Sequence, residues 1–441
     1  MRASKAKLIH VTAMGLGLMF FSACGAAWES AATNSATIPA AAPIPPDEEA
    51  VKVSTRILEE RVKRDPEDFV AHNKLAGYYL TFLRETGNTR FLELASRAAR
   101  ASLDVLPAEQ NLGGLTALSQ VELASHDFIS ARDHAELLVR LEPRKSYPYR
   151  ILGDALIELG DYDKAAAAYK KMEQLGFGIS SETALARLAL IKGDVASCTQ
   201  HLIRALTLAT EQVPQPRETV AWCRWQLGET AFSVGDYKAA ERHARDALIT
   251  FPDYYRALAS LGRALAAQGD LAGAIEQYER AVRILPDPAF VAALGDLYRL
   301  AGRDREADAQ HALVEQIARV GQLNGALYNR QIALFYADHD IKAEEAYAQA
   351  KKEYETRRDI YGADALAWTA LKSGRTAEAR SAINEAMRLG TRDARLYYHA
   401  GMIARAAGDN GAAREYLSRA LSLSPEFDPL QSRIAKRALE E

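Results

Sequence analysis

A pattern of small and aromatic residues returns every 34 positions in the middle of this chain. Leu227-Gly228 recurs as Leu261-Gly262, Gly235 as Gly269, Ala240 as Ala274, Ala247 as Ala281 and Pro252 as Pro286. A fixed period of this length calls for a stack of similar units, each burying its apolar face on the next, rather than one globular core. Such arrays work through an extended surface, so the functional question is what the surface holds.

Each unit reads as two amphipathic helices. In residues 254–286, Leu258, Leu261 and Leu265 form a stripe at three- and four-residue spacing. Gly269-Asp270 interrupts it as a turn. Ala274, Tyr278, Ala281 and Leu285 form a second stripe, which Pro286 ends because proline cannot extend a helix. Gly262 and Ala274 let the two helices approach closely, and Tyr278 fills the wedge beside them. A large residue at Gly262 is expected to force the pair apart at ~1–3 kcal/mol or more.

The spacing L-G-x-x-L, then A-x-x-x-Y, then P resembles the tetratricopeptide (TPR) repeat. It appears again at Leu152-Gly153 with Ala165 and Tyr169, and at Leu294-Gly295 with Ala307. Near the C-terminus Gly374, Ala379 and Ala386 recur as Gly408, Ala413 and Ala420. Four units are degenerate. The one around Ala76, Tyr79 and Ala95 carries about seven extra residues in its turn (Arg84 to Thr89). The one with Leu118 and Ala131 has His126-Asp127 in place of the turn glycine, residues 179–208 keep little but the apolar rhythm, and residues 326–352 have His339-Asp340 where Gly-Asp is usual. The resemblance implies an all-α fold, a right-handed α-solenoid of about ten helix-turn-helix units within residues 51–425. Single helices at 48–64 and 427–439 cap the ends and cover apolar faces that would otherwise aggregate, the C-terminal cap occupying 426–441. Two seams, Val213-Pro214-Gln215-Pro216 and Val320 to Gly325, are either hinges or merely longer turns. Arg392 to Ser424 also looks like a group of bacterial TPR proteins of unassigned function.

The N-terminus is a separate matter. Arg2, Lys5 and Lys7 precede an apolar run of 14 residues, Leu8 to Phe21. That is shorter than the ~20 apolar residues a bilayer span needs and reads as a secretory signal over residues 1–24. Phe21-Ser22-Ala23-Cys24-Gly25 resembles the lipobox of bacterial lipoproteins, with Phe21 where leucine is commoner. The resemblance implies acylation at Cys24, and Gly25 after it favours the outer membrane, facing the periplasm. The alternative is ordinary cleavage after Gly25-Ala26-Ala27, giving a secreted or periplasmic soluble protein. Residues 25–50, rich in Ala and Pro, have too little apolar surface to fold and read as a tether with a reach of ~30 Å.

Without the signal, 52 Lys and Arg stand against 58 Asp and Glu, a net charge near −6. Nucleic-acid binders show a net basic surface, so a nucleic-acid partner is not expected. Cys198 and Cys223 fall at opposite ends of two antiparallel helices and are expected as buried free thiols. The nine histidines show no H-E-x-x-H and no pair at metal-binding spacing beside a carboxylate or cysteine. Phosphate-loop and nucleophile-elbow patterns are absent too. No enzyme activity, cofactor or metal is expected, and the oligomeric state is not encoded in the sequence. The Lys and two Asn with which one TPR subset grips chaperone C-termini are missing as well.

In the TPR arrangement the first helix of each unit lines a concave groove. Residues between its packing positions are Tyr147, Arg150 and Asp154; Arg187; Trp222, Trp225 and Glu229; Arg256 and Arg263; Asp296 and Arg299; Trp368; and Tyr398 and Arg405. Trp222 and Trp225 share a helical face, and Trp and Arg are favoured anchors of interfaces. Either they face the groove or they pack between neighbouring helices. The chain is expected to be a non-enzymatic scaffold tethered to the cell envelope, holding a protein or peptide that is extended, apolar at one or two points and acidic elsewhere. Alternatives are an accessory lipoprotein of a secretion, pilus or outer-membrane assembly complex, and a substrate-recognition subunit for an envelope enzyme acting on cell-wall polymers.

Overall fold

A computed structural model describes residues 48–324 and 329–441, so Cys24, the signal, most of the tether and Gly325 lie outside the described residues. Within them all regular structure is helical, with 22 helices from α1 (Glu48–Arg64) to α22 (Gln431–Glu440). The twenty helices between them form ten antiparallel pairs. The first three pairs are α2 (Phe69–Thr86) with α3 (Arg90–Val105), α4 (Leu112–Ala124) with α5 (Phe128–Leu141), and α6 (Tyr147–Glu158) with α7 (Tyr162–Leu175). Then follow α8 (Ile179–Ile191) with α9 (Val195–Thr210), α10 (Arg217–Ser233) with α11 (Tyr237–Thr250), and α12 (Tyr255–Ala267) with α13 (Leu271–Ile284). The last four are α14 (Pro288–Leu300) with α15 (Asp304–Asn324), α16 (Asn329–Asp338) with α17 (Ala343–Thr356), α18 (Ile360–Lys372) with α19 (Thr376–Met387), and α20 (Ala394–Ala406) with α21 (Asn410–Leu423). No helix among the described residues is long and apolar enough to cross a membrane.

The turn inside each pair explains why the sequence breaks where it does. A left-handed residue stops the first helix, and in six of the ten pairs an aspartate then caps the second by accepting a bond from the backbone three positions on, at Asp127, Asp161, Asp194, Asp236, Asp270 and Asp409. His126 takes the left-handed position in the second unit, as its alignment with glycine predicts. The other degenerate turn is shifted by one residue: Asp340, not His339, is left-handed, and Lys342 stands at the N-cap. The extra residues of the first unit are not in its turn. They prolong α2 to 18 residues, closed by Gly87 at φ 68°.

Close packing follows the small residues. A Cβ on Gly262 would lie 2.6 Å from the Tyr278 ring, and one on Gly153 only 2.2 Å from that of Tyr169. Cys198 and Cys223 are buried free thiols in one apolar cluster, and burial pushes both above the usual thiol range.

The solenoid winds tightly enough for successive turns to touch. Residues 187 to 228 positions apart, about six repeat lengths, bond directly. Arg388 donates to the Gly160 carbonyl at 2.7 Å, the Ile360 N–H to the Tyr162 hydroxyl at 2.8 Å, and the Glu426 N–H to the Tyr237 hydroxyl at 2.7 Å. Thr391 donates to the Ile191 carbonyl. One apolar cluster contains Leu156, Tyr169 and Ile191 from the early turn with Ile360, Ile383 and Ile403 from the late one. At Gly160 a Cβ would meet the Arg358 carbonyl at 2.3 Å, so both the left-handed backbone and the approach of the next turn require glycine there.

A ladder of charges crosses this contact. Arg150 and the Tyr169 hydroxyl hold Asp154, each at 2.6 Å. Glu158 accepts from Arg187 of the same turn and, at 2.6 Å, from Arg357 of the next. Arg357 reaches Asp359 at 3.1 Å, and Arg330 holds both Asp359 and Glu353 at 3.0 Å. Burial alone would raise the Glu158 carboxyl, but the Arg187 and Arg357 guanidinium groups overcome it and hold it at about 2. Burial, with Arg357 adding to it, pushes the nearby His126 imidazole down to about 4. Both groups bind protons more weakly folded than unfolded, so both contribute stability at neutral pH that is lost on acidification. The His126 contribution falls from about pH 6.5 toward 4, and that of Glu158 from about pH 4.5 toward 2. The Glu158 part is on the order of 3 kcal/mol. Equilibrium unfolding against pH should show a steeper loss below pH ~4.5 in the wild type than in Glu158→Gln; parallel curves would refute it.

Candidate functional site

The first helices of the fifth to seventh units, α10, α12 and α14, form one wall of a half-open cavity of about 1060 Å³. The opposite wall comes from the late turn, with Tyr361, Arg395, Phe427 and Asp428, and Leu83 and Leu92 of the first unit contribute an apolar side. The cavity thus exists because the turns pack together. Its volume is at the upper end of small-ligand sites.

The wall on α10 and α12 is held by a short polar chain. Trp225 and Glu229 are four residues apart, and Arg256, Ser260 and Arg263 follow the same rhythm on the next first helix, so all five share one side. The Trp225 indole Nε1 donates to Ser260 at 2.8 Å, and Ser260 donates to Glu229 at 2.5 Å. Arg263 binds the other Glu229 oxygen at 2.6 Å and lies 4.0 Å over the Phe232 ring. Trp225 also meets Tyr254 edge-on at 6.4 Å, so its rotamer is fixed before any ligand arrives. Arg256 lies 5.2 Å over the Trp225 ring and 5.2 Å over Tyr255, and forms no ion pair among the described residues. Across the cavity Arg395 is tied to Asp428 at 3.0 Å. Burial raises the Asp287 carboxyl and pushes the Tyr278 phenol up to about 12.

Five of the groove residues expected from sequence therefore line this cavity: Trp225, Glu229, Arg256, Arg263 and Asp296. The structure places the others elsewhere. Trp222 is half-buried between two apolar clusters, with its ring 6.5 Å from that of Trp225. Arg187 is held by Glu158 and, with Arg150 and Asp154, belongs to the inter-turn ladder. Arg299 is exposed, outside the cavity lining, and paired with Asp304 at 3.0 Å and Asp308 at 2.6 Å of its own unit. Tyr147 donates to Glu142, and Arg405 pairs with Glu441 at the chain end. Trp368 and Tyr398 are core residues, each 1% exposed. Trp368 stacks on His399 at 4.3 Å and donates to Asp338 at 2.8 Å, filling the wedge between neighbouring first helices. Tyr361, Arg395, Phe427 and Asp428 were not legible as cavity residues, because no local pattern tells which distant unit the superhelix brings opposite.

A second convergence was not legible. Asp296 on α14 receives His311 from α15 and His339 from the end of α16. The spacings of 15 and 43 residues match no metal-site motif, and only the stacking of two units joins them.

A family model described as tetratricopeptide repeat matches residues 116–176, 226–289 and 365–426. Among solved structures the chain is similar to MamA at 19% identity, over 38% of this chain and 94% of that one, with a TM-score of 0.30. It is similar to the Cut9-Hcn1 hetero-tetramer of the APC/C at 13% identity, over 89% and 94% of the two chains, with a TM-score of 0.37. A tetratricopeptide repeat protein from Parabacteroides merdae is 18% identical over 59% of this chain and 97% of its own, with a TM-score of 0.32. No curated protein matches the chain. The fold and the family model lead to the same conclusion: this is an all-α solenoid in which three stretches match the tetratricopeptide repeat.

Proposed function

We propose that the chain is a non-enzymatic scaffold, anchored to the cell envelope through Cys24, that holds a protein or peptide segment in the cavity between its turns. The observation that carries this reading is Trp225 with Arg256 over its face. One is a fixed aromatic surface and the other a cation that forms no ion pair among the described residues, set in a cavity whose other arginines Arg84, Arg263, Arg357 and Arg395 are each paired with a carboxylate. An extended segment with an apolar side chain on Trp225 and an acidic one at Arg256 satisfies both.

The test is crosslinking in membranes followed by mass spectrometry of what is recovered. Trp225→Ala/Arg256→Ala should lose the partner, with an affinity at least ~10-fold weaker. Trp222→Ala should keep it, since that ring is outside the cavity. Equal recovery by all three chains would refute the cavity as the site. Cys24→Ser should release the protein from membranes; retention would refute the anchor.

A further inference from the structure

We infer that Asp296, His311 and His339 form a binding site for a divalent transition-metal ion of the zinc class at the edge of the cavity. The three offer ligand atoms that all lie within 4.8 Å of one another. The Asp296 Oδ1 is 2.7 Å from the His339 Nε2 and 3.4 Å from the His311 Nε2. Ligands around a tetrahedral zinc, each bonded at ~2.0–2.1 Å, sit roughly 3.3 Å apart, so the His339–Asp296 contact would have to open by about 0.6 Å and the two imidazoles, within 4.8 Å of each other, settle to a similar spacing to admit the ion.

The hydrogen bonding suits this. The His339 Nδ1 is 2.8 Å from the Phe335 carbonyl and keeps its proton there, so a metal that displaces the Nε2 proton now shared with Asp296 would find the Nε2 lone pair aimed at it. The His311 Nε2 is buried, and its contact with Asp296 at 3.4 Å is too long and poorly aimed for a good hydrogen bond. An ion pair between His339 and Asp296 leaves that nitrogen only weakly satisfied; a metal satisfies it fully. Elsewhere in the chain imidazoles meet carboxylates singly, His134 at Glu122, His201 at Glu182 and His399 at Asp364. Among the described residues only Asp296 receives two.

The repeat register shows what was exchanged to build the site. Tyr169 and Tyr278 each lie sixteen positions after the packing glycine, Gly153 and Gly262, and His311 has the same place after Gly295. In the third unit the tyrosine hydroxyl satisfies Asp154, the residue after the glycine, at 2.6 Å. In the seventh unit an imidazole stands where the phenol would be and Asp296 stands where Asp154 does. A Cβ on Gly295 would lie 2.7 Å from the His311 Nε2, so glycine makes the room. Two imidazoles with one carboxylate favour Zn²⁺, Co²⁺ or Ni²⁺ over Mg²⁺ and Ca²⁺. Asp296 also lines the cavity, which leaves a coordination position for water or an incoming donor.

The test is titration of the chelator-treated protein with Zn²⁺ by calorimetry and with Co²⁺ by visible absorption. One equivalent of each should bind saturably, with Mg²⁺ at the same concentration giving no signal. His311→Tyr, which restores the residue of the sister units and so preserves the fold, should weaken Zn²⁺ at least tenfold, as should His339→Ala. His134→Ala should bind like the wild type. Absence of saturable binding in the wild type, or undiminished binding in His311→Tyr, would overturn the assignment.

Discussion

Glu158→Lys is expected to part the two superhelical turns and to cost about 4 kcal/mol of stability, in the range found for breaking a buried ion pair. The Glu158 side chain is 11% exposed and is the point where the early turn's Arg187 and the late turn's Arg357 meet. Lysine there would set three cations together, with Asp154 and Asp359 as the nearest compensation. Glu158→Gln keeps the shape and should cost less, ~2 kcal/mol, because Arg357 retains Asp359 at 3.1 Å and Glu353 at 3.5 Å. Unfolding midpoints would measure both losses. X-ray scattering should also show a larger radius of gyration for Glu158→Lys at unchanged helical circular dichroism, since each helix pair keeps its neighbours. An unchanged radius would mean that the apolar contacts hold the turns without the charges.

Gly153→Ala should be nearly as damaging, by ~2–3 kcal/mol, although it adds a single methyl group. The added Cβ would fall 2.2 Å from the Tyr169 ring, which is fully buried and whose hydroxyl holds Asp154. Tyr169 can retreat only by giving up that bond, and with it the alignment of Arg150. Gly295→Ala is the internal comparison, since there the obstructing group is the ring of His311, 22% exposed, and it has more freedom to give way. Thermal unfolding of the two variants side by side should rank Gly153→Ala lower; equal midpoints would show that the helix pair relaxes around the methyl.

The parts of the fold that the sequence made legible are those coded between neighbours. The period, the ten pairs, the capping helices and the Gly262–Tyr278 contact all arise from residues within one or two units of each other, where helical spacing and side-chain volume leave few choices. Two local features depart from the expectation. In the first unit extra residues lengthened α2 rather than the turn, since nothing in Arg84-Glu85-Thr86 stops a helix before Gly87. In the eighth unit Asp340 took the left-handed position that the alignment gave to His339, which frees His339 to reach Asp296. Half of the candidate site was hidden for a different reason. Trp225, Arg256 and Arg263 follow from their places on first helices, but Arg395 and Asp428 face them only because small rotations between units accumulate into a turn. That sum is not written in any one repeat. Trp368 shows the same limit from inside a unit: a groove position and a wedge position differ by a modest rotation of one helix.

A coil whose loops are apart lengthens easily, because bending is shared among all its units. Here the loops are already bonded, through Arg388 to the Gly160 carbonyl, Glu426 to the Tyr237 hydroxyl and Arg357 to Glu158. Tension on the two ends would have to break these links before any pair of helices could unwind. Under small loads such a molecule behaves as a stiff strut rather than a spring, passing a displacement from one end to the other with little loss.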